Sequence, residues 1–292
     1  MSIIESLIET QEFATLPPVA ARVLSMLENE NIDIRDITKV IETDVSLTLK
    51  LLRVANSPLY AVRTEISTIL QAILTLGLNR VTNIVLGVSI FSKFLLSSQH
   101  HAAKLMEKFW WHSSCTGIVA KALAKKINKN FRENEFIGGL IHDIGKLAMF
   151  QFDASNYTKV VTMITEDSII DTEAEKNIFG VSHNEVGKEI AKLWKIPSEL
   201  TNIIEYHNSP NVPPVHEDLI SVVRLADLFC EIWGAGFYEG QKMLKVAEEA
   251  SWQTLCESFP ELKSLDVEVF TFELENEFKH SSEFLSIMVS ES

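Results

Sequence analysis

No Cys-x-x-Cys pair occurs anywhere in the 292 residues. The three cysteines, Cys115, Cys230 and Cys256, are odd in number and far apart. That excludes a disulfide framework and a cysteine-based zinc finger. Helix breakers are also scarce, with 8 prolines and 11 glycines. They gather at Pro17-Pro18, Pro58, Gly77, Gly138-Gly139, Pro197 and the segment "NSPNVPPVHED". No low-complexity linker and no fixed-period repeat is present. Base is in deficit: 26 Lys and Arg stand against 40 Asp and Glu, a formal charge of −14. Bulk binding to nucleic acid or an anionic membrane needs clustered base, so both are excluded. The longest tempting apolar run, "VTNIVLGVSIF", is too short to span a bilayer. The first residues, "MSIIESLIETQEF", lack the basic region and small-residue cleavage site of a secretory signal. The expectation is a reduced, cytoplasmic protein without membrane insertion.

The sequence is 46% hydrophobic, enough for a substantial core. Its apolar residues recur at three and four places almost throughout, and alternating runs are few, so the expected fold is all-α. "VAARVLSML" places Val19, Val23, Met26 and Leu27 on one face. "DVSLTLKLLRVANSP" places Val45, Leu49, Leu52 and Val54 or Ala55 together, with Asp44 as N-cap. "SHNEVGKEIAKLWKIP" opens with a Ser182-x-x-Glu185 capping box, and its face is Val186, Ile190 and Leu193 or Trp194. "SVVRLADLFCEIW" reads as another helix. "VEVFTFELE" fits either period; a helix with Val267, Phe270, Leu274 and Phe278 on one side is preferred. The acidic stretch around it reads as a solvated helix face.

Histidine is absent before residue 100, and seven of the eight lie between 100 and 227. In "GGLIHDIGKL" the His142-Asp143 pair and Lys146 interrupt a strongly apolar run. Burying such groups costs several kcal/mol unless they are paired or bound to metal. His112, His183, His207 and Asp227 also sit in or at the ends of apolar helices. Imidazole with carboxylate suits a divalent transition metal such as Fe, Mn, Co or Zn. The set His112, His142, Asp143, His183, His207 and Asp227 has the size a binuclear site needs. Simpler explanations exist for each member. A histidine on an apolar face is commonly a hydrogen-bonded core residue. His183 follows the Ser182 cap, Asp227 lies one turn from Arg224, and Lys146 is explicable as a solvated residue. His100 and His101 read as a loop pair, while His216 and His280 sit in polar segments; none of these four is assigned a role.

The "HDIGK" block, with a histidine upstream and an aspartate downstream, resembles the HD superfamily of metal-dependent phosphohydrolases. A closer resemblance is to the HDOD domain, the HD-related output domain of bacterial signalling proteins. It is carried by Leu16-Pro17, Asp44, "LLRVANSPLY" with Asn56, Ser57 and Tyr60, "AILTLG" ending at Gly77, "GLIHDIGKL", "HNEVGKEIAKLWKIP" and "IIEYH". It covers about two-thirds of the chain, roughly residues 10 to 215. The resemblance implies two helical lobes, the second an HD-like bundle. The corresponding division is a first lobe over 1–98, an HD-like lobe over 99–240 and an acidic helical extension over 241–292. It also implies a regulatory role, and most HDOD members are non-catalytic. By residue, the HD pattern falls on His112, His142-Asp143 and Asp227, and Lys146 matches the lysine after the pair. His183 and His207 match the extra histidines of the related HD-GYP cyclic-dinucleotide phosphodiesterases. Three departures set this chain apart from those enzymes: His207-Asn208 replaces a histidine pair, Lys108 stands where an acid precedes the first histidine, and the GYP segment is missing.

Three functional classes follow. The first is a signalling module without catalysis that binds a protein partner or a small nucleotide-like ligand, with or without a retained divalent metal. Its histidine-free lobe would be the docking surface, with Asn56 and Tyr60 presented by the "ANSPLY" turn. The second is a metal-dependent phosphohydrolase acting on a nucleotide or cyclic nucleotide. There His112, His142, Asp143 and Asp227 hold one metal, Asp143 bridges to a second on His183 and His207, and Lys146 steadies phosphoryl charge. Asp143 and Lys146 are then the catalytic candidates. The third is a scaffold whose polar residues form a metal-free network, with Arg53, Arg63 or Arg80 pairing with Asp44 or with the HD carboxylates.

Overall fold

A computed structural model describes residues 3–8, 15–29, 31–96, 103–209, 212–213, 215–240, 245–264, 266–275 and 279–289. The fold is all-α, with no strand among the described residues. His100, His101, Phe278 and parts of "NSPNVPPVHED" (210, 211 and 214) lie outside them.

The first lobe is built from α2 (Pro18–Leu27), α3 (Ile34–Glu42), α4 (Val45–Ala55), α5 (Ile69–Leu76) and α6 (Leu78–Leu96). It follows α1 (Ile3–Ile8), which lies against the second lobe. The second lobe comprises α7 (Ala103–Lys126), α8 (Asn134–Ile141), α9 (Ile144–Phe152), α10 (Ala154–Glu166), α11 (Asp171–Phe179), α12 (His183–Leu193), α13 (Ser198–Tyr206) and α14 (Glu217–Ile232). The chain ends with α15 (Ala250–Ser258), α16 (Val267–Glu275) and α17 (Lys279–Val289). α15 packs on α14, and α17 packs on α7, α4 and α6, so this last part touches both lobes.

Helix starts follow local chemistry. Asp33, Asp44, Thr68 and Asp153 each accept a backbone N–H from the first turn of α3, α4, α5 and α10. Ser182 and Glu185 form the expected capping box of α12. α14 is the central element: every residue from Leu219 to Cys230 is buried, the pattern of a helix enclosed on all sides. α16 is helical, with Phe270 and Leu274 turned inward.

One expected face holds only at its end, where Val54 and Ala55 are buried. In α4 the structure buries Leu47, Leu51 and Val54, and leaves Val45 70% and Leu49 41% exposed. Apolar residues nearly encircle this helix, so the spacing fits two faces, and packing against α6 chooses between them. The chosen face carries Lys50 inward, to 8% exposure.

Two close approaches place the future site. A Cβ on Gly139 would lie 2.7 Å from the Gly117 Cα, so α8 crosses α7 backbone to backbone. A Cβ on Gly145 would lie 1.9 Å from the His183 carbonyl oxygen, so α9 meets the start of α12 equally closely. Only glycine permits either contact. Together they bring the α8–α9 junction between α7 and α12.

The "NSPLY" turn serves the interior. The Asn56 side chain donates to the Leu52 and Ile66 carbonyls and accepts from the Ile66 N–H, fixing the chain after α4. The Tyr60 hydroxyl donates to Glu133 at 3.0 Å across the lobe boundary. Lys121 at 2.7 Å and Arg80 at 3.2 Å complete the ring around that carboxylate. Glu133 thus occupies the position that the sequence reading gave to Asp44 or the HD carboxylates as partner of Arg80. Asp44 instead caps α4. Nearby Glu135 is 5% exposed. Burial and the adjacent Glu133 raise its pKa to about 7.

Candidate metal centre

The apolar run "GGLIHDIGKL" is broken where its charges lie. α8 stops at Ile141, His142 is its C-cap, and Asp143 is the N-cap of α9. The pair therefore occupies a helix junction, where its side chains project between elements. His112 comes from the middle of α7, His183 from the first turn of α12, His207 from the C-cap of α13 and Asp227 from α14. All six are at most 1% exposed.

They converge in two groups around Asp143. On one side, His112 Nε2 lies 3.3 Å from both His142 Nε2 and Asp227 Oδ1, and Asp143 Oδ2 lies 3.7 Å from His112 and 3.5 Å from His142. On the other, Asp143 Oδ1 is 3.4 Å from both His183 Nε2 and His207 Nε2, which are themselves 3.4 Å apart. Asp143 is the shared member, one oxygen per group.

Tautomers follow from what each ring does at its other nitrogen. His112 Nδ1 is 3.0 Å from the Ala235 carbonyl, His142 Nδ1 2.8 Å from the Gly139 carbonyl, and His207 Nδ1 3.2 Å from the Ile203 carbonyl. His183 Nδ1 is 2.7 Å from Glu175 Oε2. A carbonyl or carboxylate can only accept, so each Nδ1 carries a proton and, in the neutral ring, the Nε2 lone pair faces the centre. The four Nε2 atoms, Asp143 Oδ1 and Asp227 Oδ1 then face one another in a dry interior, while Asp143 Oδ2 also meets the Lys146 ammonium at 2.9 Å. That arrangement repels itself unless a cation or protons lie among them. Ligand atoms about 2.1 Å from one tetrahedral metal stand roughly 3.4 Å apart, which matches these separations. The donors fit a divalent metal.

Asp143, Asp171, Glu175, Asp227 and Glu239 surround the centre, with Lys146 and Arg224 paired among them. Burial holds the Glu175 and Glu239 carboxyls above their ordinary range. Burial opposes the charge on Asp143, but Lys146 and His142 outweigh it and hold the carboxyl well below its ordinary range. Burial pulls His207 down to about 4, so that ring is neutral. It also acts to lower His142, but Asp143 and Asp227 prevail and raise it. His183 is raised likewise, with Glu175 prevailing over burial.

Two simpler explanations need revision. Lys146 is not solvated: it is 1% exposed and lies 2.9 Å from Asp143 and 2.8 Å from Asp171. Asp227 does pair with Arg224, at 3.0 Å, but through Oδ2 alone, leaving Oδ1 for His112. Asp171, Glu175 and Glu239 escaped the sequence reading. Each stands in an ordinary acidic segment, and only the tertiary fold brings it inward. Asn208 places its amide nitrogen 3.4 Å from His183 Nε2. Lys108 lies over the Tyr238 ring, 3.5 Å from its centroid.

Residues 234–240 cover the first group. Ala235 supplies the carbonyl to His112, Phe237 stacks on the His112 ring at 6.4 Å, and Glu239 pairs with Arg224 at 3.1 Å. No helix among the described residues is long and apolar enough to cross a membrane.

Comparison with known proteins agrees with this architecture. A crystal structure of an HDOD domain protein of unknown function from Geobacter sulfurreducens is similar with a TM-score of 0.74 and 25% identity, over 92% of each chain. A Shewanella amazonensis SB2B protein, suggested to be a phosphohydrolase, has a TM-score of 0.73 at 20% identity over 98% of each chain, a likeness of fold. An uncharacterized protein of Treponema pallidum (strain Nichols) is 27% identical over 224 residues. The match takes in 73% of this chain and 41% of that protein, so the chain spans about two-fifths of this relative's length. The HDOD domain profile itself matches residues 13–210. With the lobes, the junction and the converging side chains in place, the chain belongs to the HDOD domain family.

Proposed function

We propose that this protein is a regulatory HDOD module of the cytoplasm that holds divalent metal in its HD centre and does not hydrolyse phosphoesters. It acts by binding a signalling protein or a small nucleotide-like ligand. The observation that carries this reading is a full donor set sealed from solvent. His112, His142, Asp143, His183, His207 and Asp227 are each at most 1% exposed, and residues 234–240 lie over the first group, so a substrate has no open path to a metal held among them. His112, His142, Asp227 and one Asp143 oxygen would hold the first ion; His183, His207 and the other Asp143 oxygen the second. Residues 99–240 form the metal-holding part, 1–98 the histidine-free docking part and 241–292 an extension that braces both.

A second reading, metal-dependent phosphohydrolase, is favoured by Lys146. Its ammonium stands beside the bridging carboxylate at 2.9 Å, where it would offset phosphoryl charge. Bound metal supplies a water of lowered pKa and a Lewis acid for phosphorus. Residues 234–240 would have to move before a substrate reached Asp143. The test is turnover of cyclic nucleotides and a chromogenic phosphodiester by protein reconstituted with Mn or Fe. No turnover above an Asp143→Ala control is expected. Turnover that this substitution abolishes would replace the first reading with the second.

A further inference from the structure

The first lobe contains a buried lysine that its fold does not explain. Lys50 is 8% exposed and lies on the inward face of α4. Its ammonium touches the Ser92 hydroxyl at 3.2 Å. No carboxylate among the described residues lies within ion-pair distance of it, and Asp44 directs its own carboxylate to the Leu47 N–H. Burial lowers the Lys50 pKa, with Asp44 only partly opposing it. The stem is enclosed in the face of α4, and the ammonium is left at a groove wall without a carboxylate of its own.

Lys50 lines a groove of about 860 Å³ between α2, α4 and α6. Ser89, Ser92 and Lys93 line the same wall, and the first turn of α4, at Val45 and Ser46, lines its end. Lys93 donates to the Thr15 carbonyl at the groove's edge. Asp44 also lines the groove, but its carboxylate caps α4, so the Lys50 and Lys93 ammonium groups with the Ser89 and Ser92 hydroxyls are what suit this space to a phosphoryl group. The facing wall, Leu16 to Val19, is aliphatic and carries two prolines. The volume is that of a site for a small organic molecule.

We propose that this groove binds a small organic phosphate, with Lys50 as the buried counter-charge to its phosphoryl group and the Leu16–Val19 wall against its organic part. The site lies in the lobe without histidine, apart from the HD centre. The inference rests on the regulatory reading and gives it a ligand class.

The test is calorimetric titration of the full chain, treated with chelator, with adenosine 5′-monophosphate and separately with inorganic phosphate at fixed ionic strength. Binding is expected, weakened at least about tenfold by Lys50→Met, which keeps the aliphatic stem. Tighter binding of the nucleotide assigns the aliphatic wall a part; equal binding makes the phosphoryl group alone the ligand; both uphold the site. Ser92→Asp is the second variant, because it offers Lys50 a carboxylate from within. It is expected to fold, to melt higher than wild type without ligand, and to lose the response to both probes. Absence of binding up to about 10 mM of either probe, equal affinity in Lys50→Met, or wild-type binding by Ser92→Asp would overturn the proposal. Metal content reports on the other lobe, so the failure of this site and that of the metal reading are separable.

Discussion

Each of the four central imidazoles gives its Nδ1 proton to a fixed acceptor, and one of those acceptors is a side chain. Glu175, buried and 2.7 Å from His183, is therefore open to mutation where the three carbonyls are not. Glu175→Ala is expected to leave the helices intact and lower metal affinity by about 10–100-fold, read by competition with a chromogenic chelator. Unchanged affinity would mean that His183 is no ligand. Glu135 carries a different expectation. Its folded pKa of about 7 lies above the ordinary 4.5, so the unfolded chain releases this proton first. Stability is then full below about pH 4.5 and falls as pH rises towards 7, by at most about 3 kcal/mol. Denaturant titrations across this range, compared with Glu135→Gln, should show a decline in the wild type that the variant lacks.

At the scale of elements, the account depends on how near α9 lies to α12. Gly145→Ala sets a methyl against the His183 carbonyl, a backbone that cannot yield without moving a ligand. A loss of about 3 kcal/mol or more is expected in urea melts, with metal lost alongside. A neutral effect would disprove the close contact. The helices themselves were largely readable: the Ser182 capping box, the Asp44 cap and the helical period of α14 are all local signals. The six central residues were also readable, because ionisable groups in apolar helices stand out. What escaped depends on contacts between distant segments. The inward face of α4 is ambiguous in a helix apolar nearly all round, and the break at His142-Asp143 has no proline to announce it. Asp171, Glu175 and Glu239 look like any surface acid until α11 and the 234–240 segment fold over the centre.

For the whole molecule, the HD centre is the meeting point of α7, the α8–α9 junction, α12, α13 and α14, so a cation there would tie the second lobe together. Its removal would leave imidazole nitrogens and carboxylates facing one another without water. Chelation is thus expected to lower the melting temperature, and restored Mn or Fe to raise it again with concentration, as ligand linkage requires. The first lobe is tied in by Tyr60 and Arg80, which meet Glu133 beside Lys121. The most direct test of the central claim is elemental analysis of the purified full chain beside Asp143→Ala, with folding of both checked by circular dichroism. The account predicts about one to two equivalents of transition metal in the wild type, lost in the variant. A wild type that stays empty after exposure to Mn and Fe would contradict it.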